Sequence, residues 1–315
     1  MSENIFELNK LCVDYLPTDK KGGKPFRAVK NLSLQIKQGE VFAIAGESGC
    51  GKSTLAKTMI RLLNPAEGEI YFEGKNINKL NREERKLFTS SVQMVFQNPY
   101  HSLNPKMKIR DILKESLDIN TKLSKAEKNA RLESIIKDVG LSIEALDNYP
   151  HEFSGGQRQR IAIARALILK PKVIIADEPV SALDASVQAQ ILNLLNELKK
   201  KYKLTIIFIS HDLRVIRYLA DKVAVMYLGE LEEVGTVNDI FDDPRHPYTR
   251  TLLDAIPEVG KPKQELTDKD TVVSEDVKCK FAPRCTRCVT DRCDENPVIS
   301  QISATHSVRC RLYNP

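Results

Sequence analysis

The segment Gly46-Glu47-Ser48-Gly49-Cys50-Gly51-Lys52-Ser53, followed by Thr54, has the residue types and spacing of a phosphate cradle. Its glycines let the backbone curl until successive N–H groups point at one anion, at the positive end of the helix that follows. Lys52 brings a compact cation to β- and γ-phosphates, and the hydroxyl of Ser53 suits Mg2+. The pattern G-x-x-x-x-G-K-[ST] lies, as it must, between an apolar run over residues 41–45 and a helical pattern from about Lys52. Nucleotide phosphates with Mg2+ are the expected ligand.

A second apolar run, Val173-Ile174-Ile175-Ala176, ends in Asp177 and Glu178. Open α/β sheets gather their ligands at such strand ends. Asp177 suits Mg2+ held through water. Glu178 could polarise an attacking water, a role worth roughly 10²–10⁴ in rate. Alone, the pair would read as a helix N-cap and an acid in the first turn. Beside a phosphate loop, catalysis is the stronger reading.

Three more segments carry a family resemblance. Phe153-Ser154-Gly155-Gly156-Gln157-Arg158-Gln159-Arg160 resembles the signature sequence of ABC (ATP-binding cassette) ATPases, with Phe where Leu is commonest. Ser181-Ala182-Leu183-Asp184 is similar to the D-loop, and Ile209-Ser210-His211-Asp212 to the switch-histidine loop. Gln97, within Val95-Phe96-Gln97-Asn98-Pro99, matches the Q-loop. The resemblance spans residues 5 to 235 and implies a RecA-like P-loop ATPase core with an N-terminal antiparallel β subdomain and an inserted helical subdomain at about 99–153.

It also implies a mechanism. Two ATPase domains meet head to tail, each ATP lying between the phosphate loop of one and Ser154, Gly155, Gly156 and Gln157 of the other. Those residues open a helix whose positive end would face the neighbour's γ-phosphate. Gly46, Ser48, Gly49, Cys50, Gly51, Lys52, Ser53 and Thr54 would touch the nucleotide. His211 would hold the γ-phosphate and position water near Glu178. Gln97 would ligate Mg2+ beside Ser53 and Asp177 and relay its state to the helical region. Tyr15 is the expected adenine-stacking residue, a contact worth ~1–3 kcal/mol by analogy with base stacking. The alternative for Tyr15 is packing on the sheet at a strand end.

Finer likeness points to one group. Phe96-Gln97-Asn98-Pro99-Tyr100-His101-Ser102-Leu103-Asn104-Pro105 is similar to the Q-loop extension of oligopeptide/dipeptide importer ATPases. Asp177-Glu178-Pro179-Val180-Ser181-Ala182-Leu183-Asp184 resembles their second, F-type partner, and His246-Pro247-Tyr248-Thr249-Arg250 also belongs to the pattern. Nickel and other importers share this ATPase type. The implied partners are a second ATPase in a heterodimer, two transmembrane permease subunits and an extracytoplasmic substrate-binding protein. Other readings are a soluble ABC ATPase acting on nucleic acid or ribosomes, and a metal-cluster sensor with a regulatory ATPase.

Five of the seven cysteines lie after Lys278. Clustered thiols in a reducing compartment favour metal over disulfides. Cys279-Lys280-Phe281-Ala282-Pro283-Arg284-Cys285 resembles the start of the C-terminal motif of these importer ATPases, in which four Cys can hold a [4Fe–4S] cluster. Cys293 and Cys310 would complete the set, and the additional Cys288 could replace Cys293. Thiolate chemistry permits Zn2+ equally.

These residues need a frame. Apolar runs at 40–45, 172–176 and 204–210 alternate with helical patterns at 55–63, 159–169 and 189–201, which predicts an open α/β sheet covered on both faces. Residues 5–15 and 28–36 read as strands joined by an exposed tip at 18–24, and residues 122–140 as a helix with Gly140 at its C-terminal end. Residues 223–227 and 231–234 read as a hairpin around Gly229. The ATPase domain is expected over 1–240, and over 241–315 an extension that crosses a polar linker at 260–275 before the cysteines. The formal net charge of +6 sits on basic residues interleaved with acids, so no nucleic-acid partner is expected. No run approaches the ~18 apolar residues of a membrane span, and the N-terminus lacks a secretory pattern. A peripheral subunit at the cytoplasmic face of the membrane is the expectation.

Overall fold

The computed structural model describes residues 4–16, 25–97, 103–256, 278–288, 293 and 295–313. The expected tip at 18–24, the linker at 260–275 and residues 98–102 of the Q-loop extension lie outside them.

Two long strands, β1 (Asn4–Tyr15) and β2 (Phe26–Lys37), pair antiparallel. After β3 (Val41–Ala45) and α1 (Lys52–Met59), strands β4 (Glu67–Phe72) and β5 (Lys75–Asn76) complete a four-stranded sheet in the order β2-β1-β4-β5. This is the expected antiparallel subdomain. Arg27 ties its strands together, donating to Asp14 at 2.8 Å and to Glu67 at 2.7 Å.

The main sheet holds the chemistry. Its parallel strands are β3, β6 (Val92–Val95), β7 (Val173–Asp177), β8 (Thr205–Ile209) and β9 (Lys222–Tyr227). β3, β7 and β8 are buried at every position, as strands covered on both faces must be. Alternate residues feed two cores. Val41, Ala43, Ile174, Ala176, Ile206 and Phe208 face the helices. Phe42, Ile44, Val173, Ile175, Ile207 and Ile209 face α1 and the antiparallel sheet. The spatial order β9-β3-β8-β7-β6 brings the C-terminal ends of β3, β8, β7 and β6 side by side.

Helices α2 (Arg82–Ser91), α3 (Ile109–Asn120), α4 (Lys125–Asp138) and α5 (Gly155–Leu167) lie between β5 and β7, and α6 (Ala185–Tyr202) and α7 (Leu213–Leu219) flank β8. α4 starts at a capping box between Ser124 and Glu127, and Gly140 follows its C-cap Val139 at φ 72°. α5 and α6 begin four residues earlier than their apolar periodicity suggests. Side-chain caps set those starts: Ser154 with Gln157 for α5, Asp184 for α6.

Strand β10 (Glu230–Thr236) returns antiparallel to β9 through the expected turn, and the short helices α8 (Val237–Phe241) and α9 (Pro247–Asp254) follow. The extension adds strands β11 (Ile299–Gln301) and β12 (Ser307–Arg309) to the same sheet, β12 pairing with β10. A register shift between Leu231 and Glu233 turns Glu232 and Glu233 both inward. Each acid finds partners from the extension. Glu233 accepts the His306 ring at 2.7 Å and the backbone N–H groups of Arg245 and His246. Glu232 lies 3.4 Å from Arg309 and 3.3 Å from His246. Burial still pushes the Glu232 carboxyl up to about 8. Burial drives His246 down to about 3, so its ring stays neutral. Its Nδ1 accepts the Tyr248 N–H, which leaves the proton on Nε2, facing Glu232.

Candidate functional site

The phosphate loop leaves the C-terminal end of β3 and is clasped from outside. The N–H of Gly229, at the tip of the β9–β10 hairpin, donates to the Cys50 carbonyl at 2.9 Å, and Lys30 donates to the Gly229 carbonyl at 2.8 Å. Gly51 has φ 105°, and a Cβ there would meet the Ala28 carbonyl oxygen at 2.4 Å, so no other residue fits. Lys52 is 4 % exposed, and its ammonium donates to the carbonyls of Gly46 at 2.8 Å and Glu47 at 2.7 Å. The ammonium therefore faces the inside of the curl, where the phosphate role requires it. Cys50 is buried, and burial raises its thiol above the ordinary range. Ser48, Gly49 and Thr54 lie along the same loop and helix start.

Across the sheet, Ser53 donates to Asp177 at 2.9 Å. Two of the three expected Mg2+ ligands are therefore neighbours. Asp177 is 4 % exposed, and its carboxyl is raised by burial and then by the adjacent Glu178. A bound cation would offset both causes.

Glu178 is held at both carboxylate oxygens. Gln97, just past β6, donates to Oε2 at 2.9 Å, and His211, just past β8, meets Oε1 through Nδ1 at 3.1 Å. The backbone of Glu178 is left-handed at φ 46°, a state that costs a non-glycine residue about 1–3 kcal/mol. Its N–H donates to the Ile209 carbonyl at 2.9 Å, which helps to hold that conformation against the adjacent strand. Two residues drawn from separate parts of the sequence thus share the carboxylate of a third.

Ser154, Gly155, Gly156 and Gln157 form the first turn of α5. The Ser154 hydroxyl accepts from the Gln157 N–H at 3.4 Å, and the Gln157 side chain accepts from the Ser154 N–H at 3.0 Å. A Cβ on Gly156 would lie 2.5 Å from a Val187 methyl. The turn packs on the D-loop side of α6 rather than on the chain's own phosphate loop. Tyr15 ends β1 with 40 % of its surface exposed, and its hydroxyl is 3.1 Å from that of Thr54. The residue is thus part-exposed at the strand end, with its hydroxyl beside the start of α1.

The tail cysteines are less ordered for their expected task. Cys279, Cys285, Cys288, Cys293 and Cys310 are free thiols. Burial raises Cys279 and Cys285, and pushes Cys288 and Cys310 up to about 11, with charges on neighbouring thiols adding to each. Cys288 also shares a hydrogen bond with Cys293. A bound cation would lower thiols raised in this way. Yet among the described residues no three His, Cys, Asp or Glu side chains are grouped to hold a metal ion. The expected [4Fe–4S] or Zn2+ ligand set is not drawn together among the described residues.

Sequence reasoning assigned no role to Glu47, Tyr248 or Arg284. The Glu47 N–H donates to the Tyr248 hydroxyl at 3.0 Å, and Arg284 donates to both Glu47 carboxylate oxygens, at 3.1 and 2.9 Å. The only hint was that all three sit inside motifs noted for other reasons.

Residues 29–181 match the family model described as ABC transporter, and residues 233–293 the one described as oligopeptide/dipeptide transporter, C-terminal region. The chain is 45% identical to the dipeptide transport ATP-binding protein DppF of Haemophilus influenzae, over 98% of this chain and 98% of that one. It is 44% identical to the oligopeptide transport ATP-binding protein AppF of Bacillus subtilis, over 91% of this chain and 90% of that one. Its fold is similar to the ATP-binding cassette MJ0796, solved as a dimer in a post-hydrolysis state bound to ADP and Pi. There the TM-score is 0.66 at 31% identity, covering 74% of this chain and 98% of the other.

Proposed function

The chain belongs to the ABC transporter ATPase family, as an ATP-binding and hydrolysing subunit of an oligopeptide/dipeptide importer, and on that premise we propose how its residues divide the work. The observation that carries the proposal is the single carboxylate of Glu178, gripped by Gln97 and His211 beside the Ser53–Asp177 pair.

In this reading the loop N–H groups and Lys52 hold the β- and γ-phosphates. Ser53, Asp177 and Gln97 would hold Mg2+, which supplies positive charge to neutralise the phosphate oxygens when bound. Glu178 accepts a proton from water as its oxygen attacks the γ-phosphorus, and the bond to the ADP oxygen breaks. His211 orients that water and contacts the γ-phosphate. Tyr15 stacks on adenine, its hydroxyl steadied by Thr54. Ser154, Gly155, Gly156 and Gln157 serve the ATP of a neighbouring subunit, their exposed helix N-terminus supplying N–H groups to its γ-phosphate.

The subunit is peripheral, at the cytoplasmic face of the membrane. Among the described residues no helix is long and apolar enough to cross a bilayer. Permease subunits and an extracytoplasmic substrate-binding protein are the partners of such an ATPase, and the second ATPase is proposed to be a different chain, making a heterodimer. Cys279, Cys285 and Cys310, with Cys293 or Cys288, are proposed to hold a [4Fe–4S] cluster, with Zn2+ as the alternative.

Native co-purification tests the assembly. A tagged chain, drawn from gently solubilised membranes with ATP present, should bring two polytopic membrane proteins and a second, similar ATPase in stoichiometric amounts. Recovery of ribosomes or nucleic acid instead would overturn the transport assignment.

A further inference from the structure

We infer that Arg284, in the Cys-bearing turn of the C-terminal extension, is a positioning residue for the phosphate loop and sets the affinity of the chain for nucleotide. This rests on the proposal that the loop binds ATP. Glu47 stands next to the first glycine of that loop, and both of its ends are held from the extension. Its N–H donates to the Tyr248 hydroxyl at 3.0 Å, and its carboxylate takes a two-pronged ion pair from Arg284 at 2.9 and 3.1 Å. A planar guanidinium meeting a carboxylate in this way fixes orientation as well as charge. The Glu47 carbonyl, between these anchors, accepts the Lys52 ammonium at 2.7 Å. Arg284 therefore acts at one remove from the cation that reads the phosphates.

Arg284 is itself braced. Its guanidinium lies 5.8 Å from the ring centroids of both Tyr227 and Phe281. Phe281 is 2 % exposed and packs on Tyr227 and Tyr248 at 5.5 and 5.4 Å. The turn that presents Arg284 closes on its two thiol residues, the Ala282 N–H donating to the Cys279 carbonyl and the Cys285 N–H to that of Ala282. The Arg284 side chain is 16 % exposed and that of Glu47 32 %, so the pair is shielded from water on most sides. A rigid brace of this kind lowers the entropy lost when the loop closes on phosphate, and its loss appears in binding before it appears in chemistry.

The test is a double-mutant cycle on the full chain, reading MgATP affinity by mant-ATP fluorescence and turnover by steady-state kinetics. R284M should raise the Kd and the KM about five- to tenfold with kcat within about twofold. In an E47Q background the same substitution should add little, because the two-pronged ion pair is already lost. An unchanged Kd, or an R284M effect of equal size in both backgrounds, would overturn the assignment. Should R284M fail to fold, R284Q, which keeps a polar side chain but loses the charge and the two-pronged donor, is read in the same cycle. Absence of nucleotide binding in the unaltered chain would count against the ATPase proposal instead.

Discussion

The hydroxyl of Ser53 donates to the carboxylate of Asp177 across 2.9 Å, joining the first turn after the phosphate loop to the end of a strand 124 residues further on. The contact exists because β3 and β7 flank β8 in the sheet, with both C-terminal ends at one edge. The two oxygens belong to residues proposed to hold Mg2+. D177N should leave the fold intact and weaken the Mg2+ dependence of ATP binding by at least tenfold, since one ligand charge is lost. Titrating Mg2+ against mant-ATP fluorescence at fixed nucleotide checks this. An unaltered Mg2+ midpoint would remove Asp177 from the metal site.

For Glu178 the expected outcome is a separation of binding from chemistry. E178Q keeps the hydrogen bonds available to Gln97 and His211 but cannot take the water's proton. Hydrolysis should fall by at least about two orders of magnitude while ATP binding persists. The closed dimer should then accumulate on size-exclusion chromatography with MgATP. Near-normal phosphate release would transfer the proton-accepting role, with His211 first in line.

The tail thiols make a separable prediction. Replacing Cys279 and Cys285 together by Ser should abolish stoichiometric iron or zinc, measured by elemental analysis of anaerobically purified protein, and leave the ATP site able to bind. Retention of one metal equivalent per chain would sink the proposed ligand set.

Glu232 carries a pH prediction whose sign follows from burial. Its carboxyl rises to about 8 in the folded chain, against an ordinary value of 4.5. The folded state therefore holds a proton that the unfolded state has released. The stability this contributes is complete below the ordinary carboxyl range and is lost as pH climbs through about 8. E232Q removes that titration. Its Tm relative to the unaltered chain should rise between pH 6 and 9, and a pH-independent difference in thermal melts would refute the burial argument.

Much of the site was legible because its signals are local. The spacing from Gly46 to Ser53, the acids closing an apolar strand and the Ser154–Gln157 cap each arise within a few residues. The sheet followed from buried runs such as residues 41–45, whose lack of alternation requires cover on both faces. Other elements carried no such signal. Strand β6 has four residues and β11 and β12 three each, and they exist through pairing with distant strands. Glu232 and Glu233 both turn inward because the extension supplies His306 and Arg309, partners that no local pattern announces.

The sequence by itself determined the class of chemistry, an Mg-dependent phosphate site with a nearby carboxylate, because the backbone geometry of a glycine loop and the end of an apolar strand depend on neighbours in the chain. Tertiary structure alone decided which side chains meet. Gln97 and His211 converge on Glu178 because the strand order places β6 and β8 on either side of β7. Arg284 reaches Glu47 because the rings of Tyr227, Tyr248 and Phe281 fold the extension back over the loop. A contact spanning 237 residues depends on the packing between, and no local pattern records it.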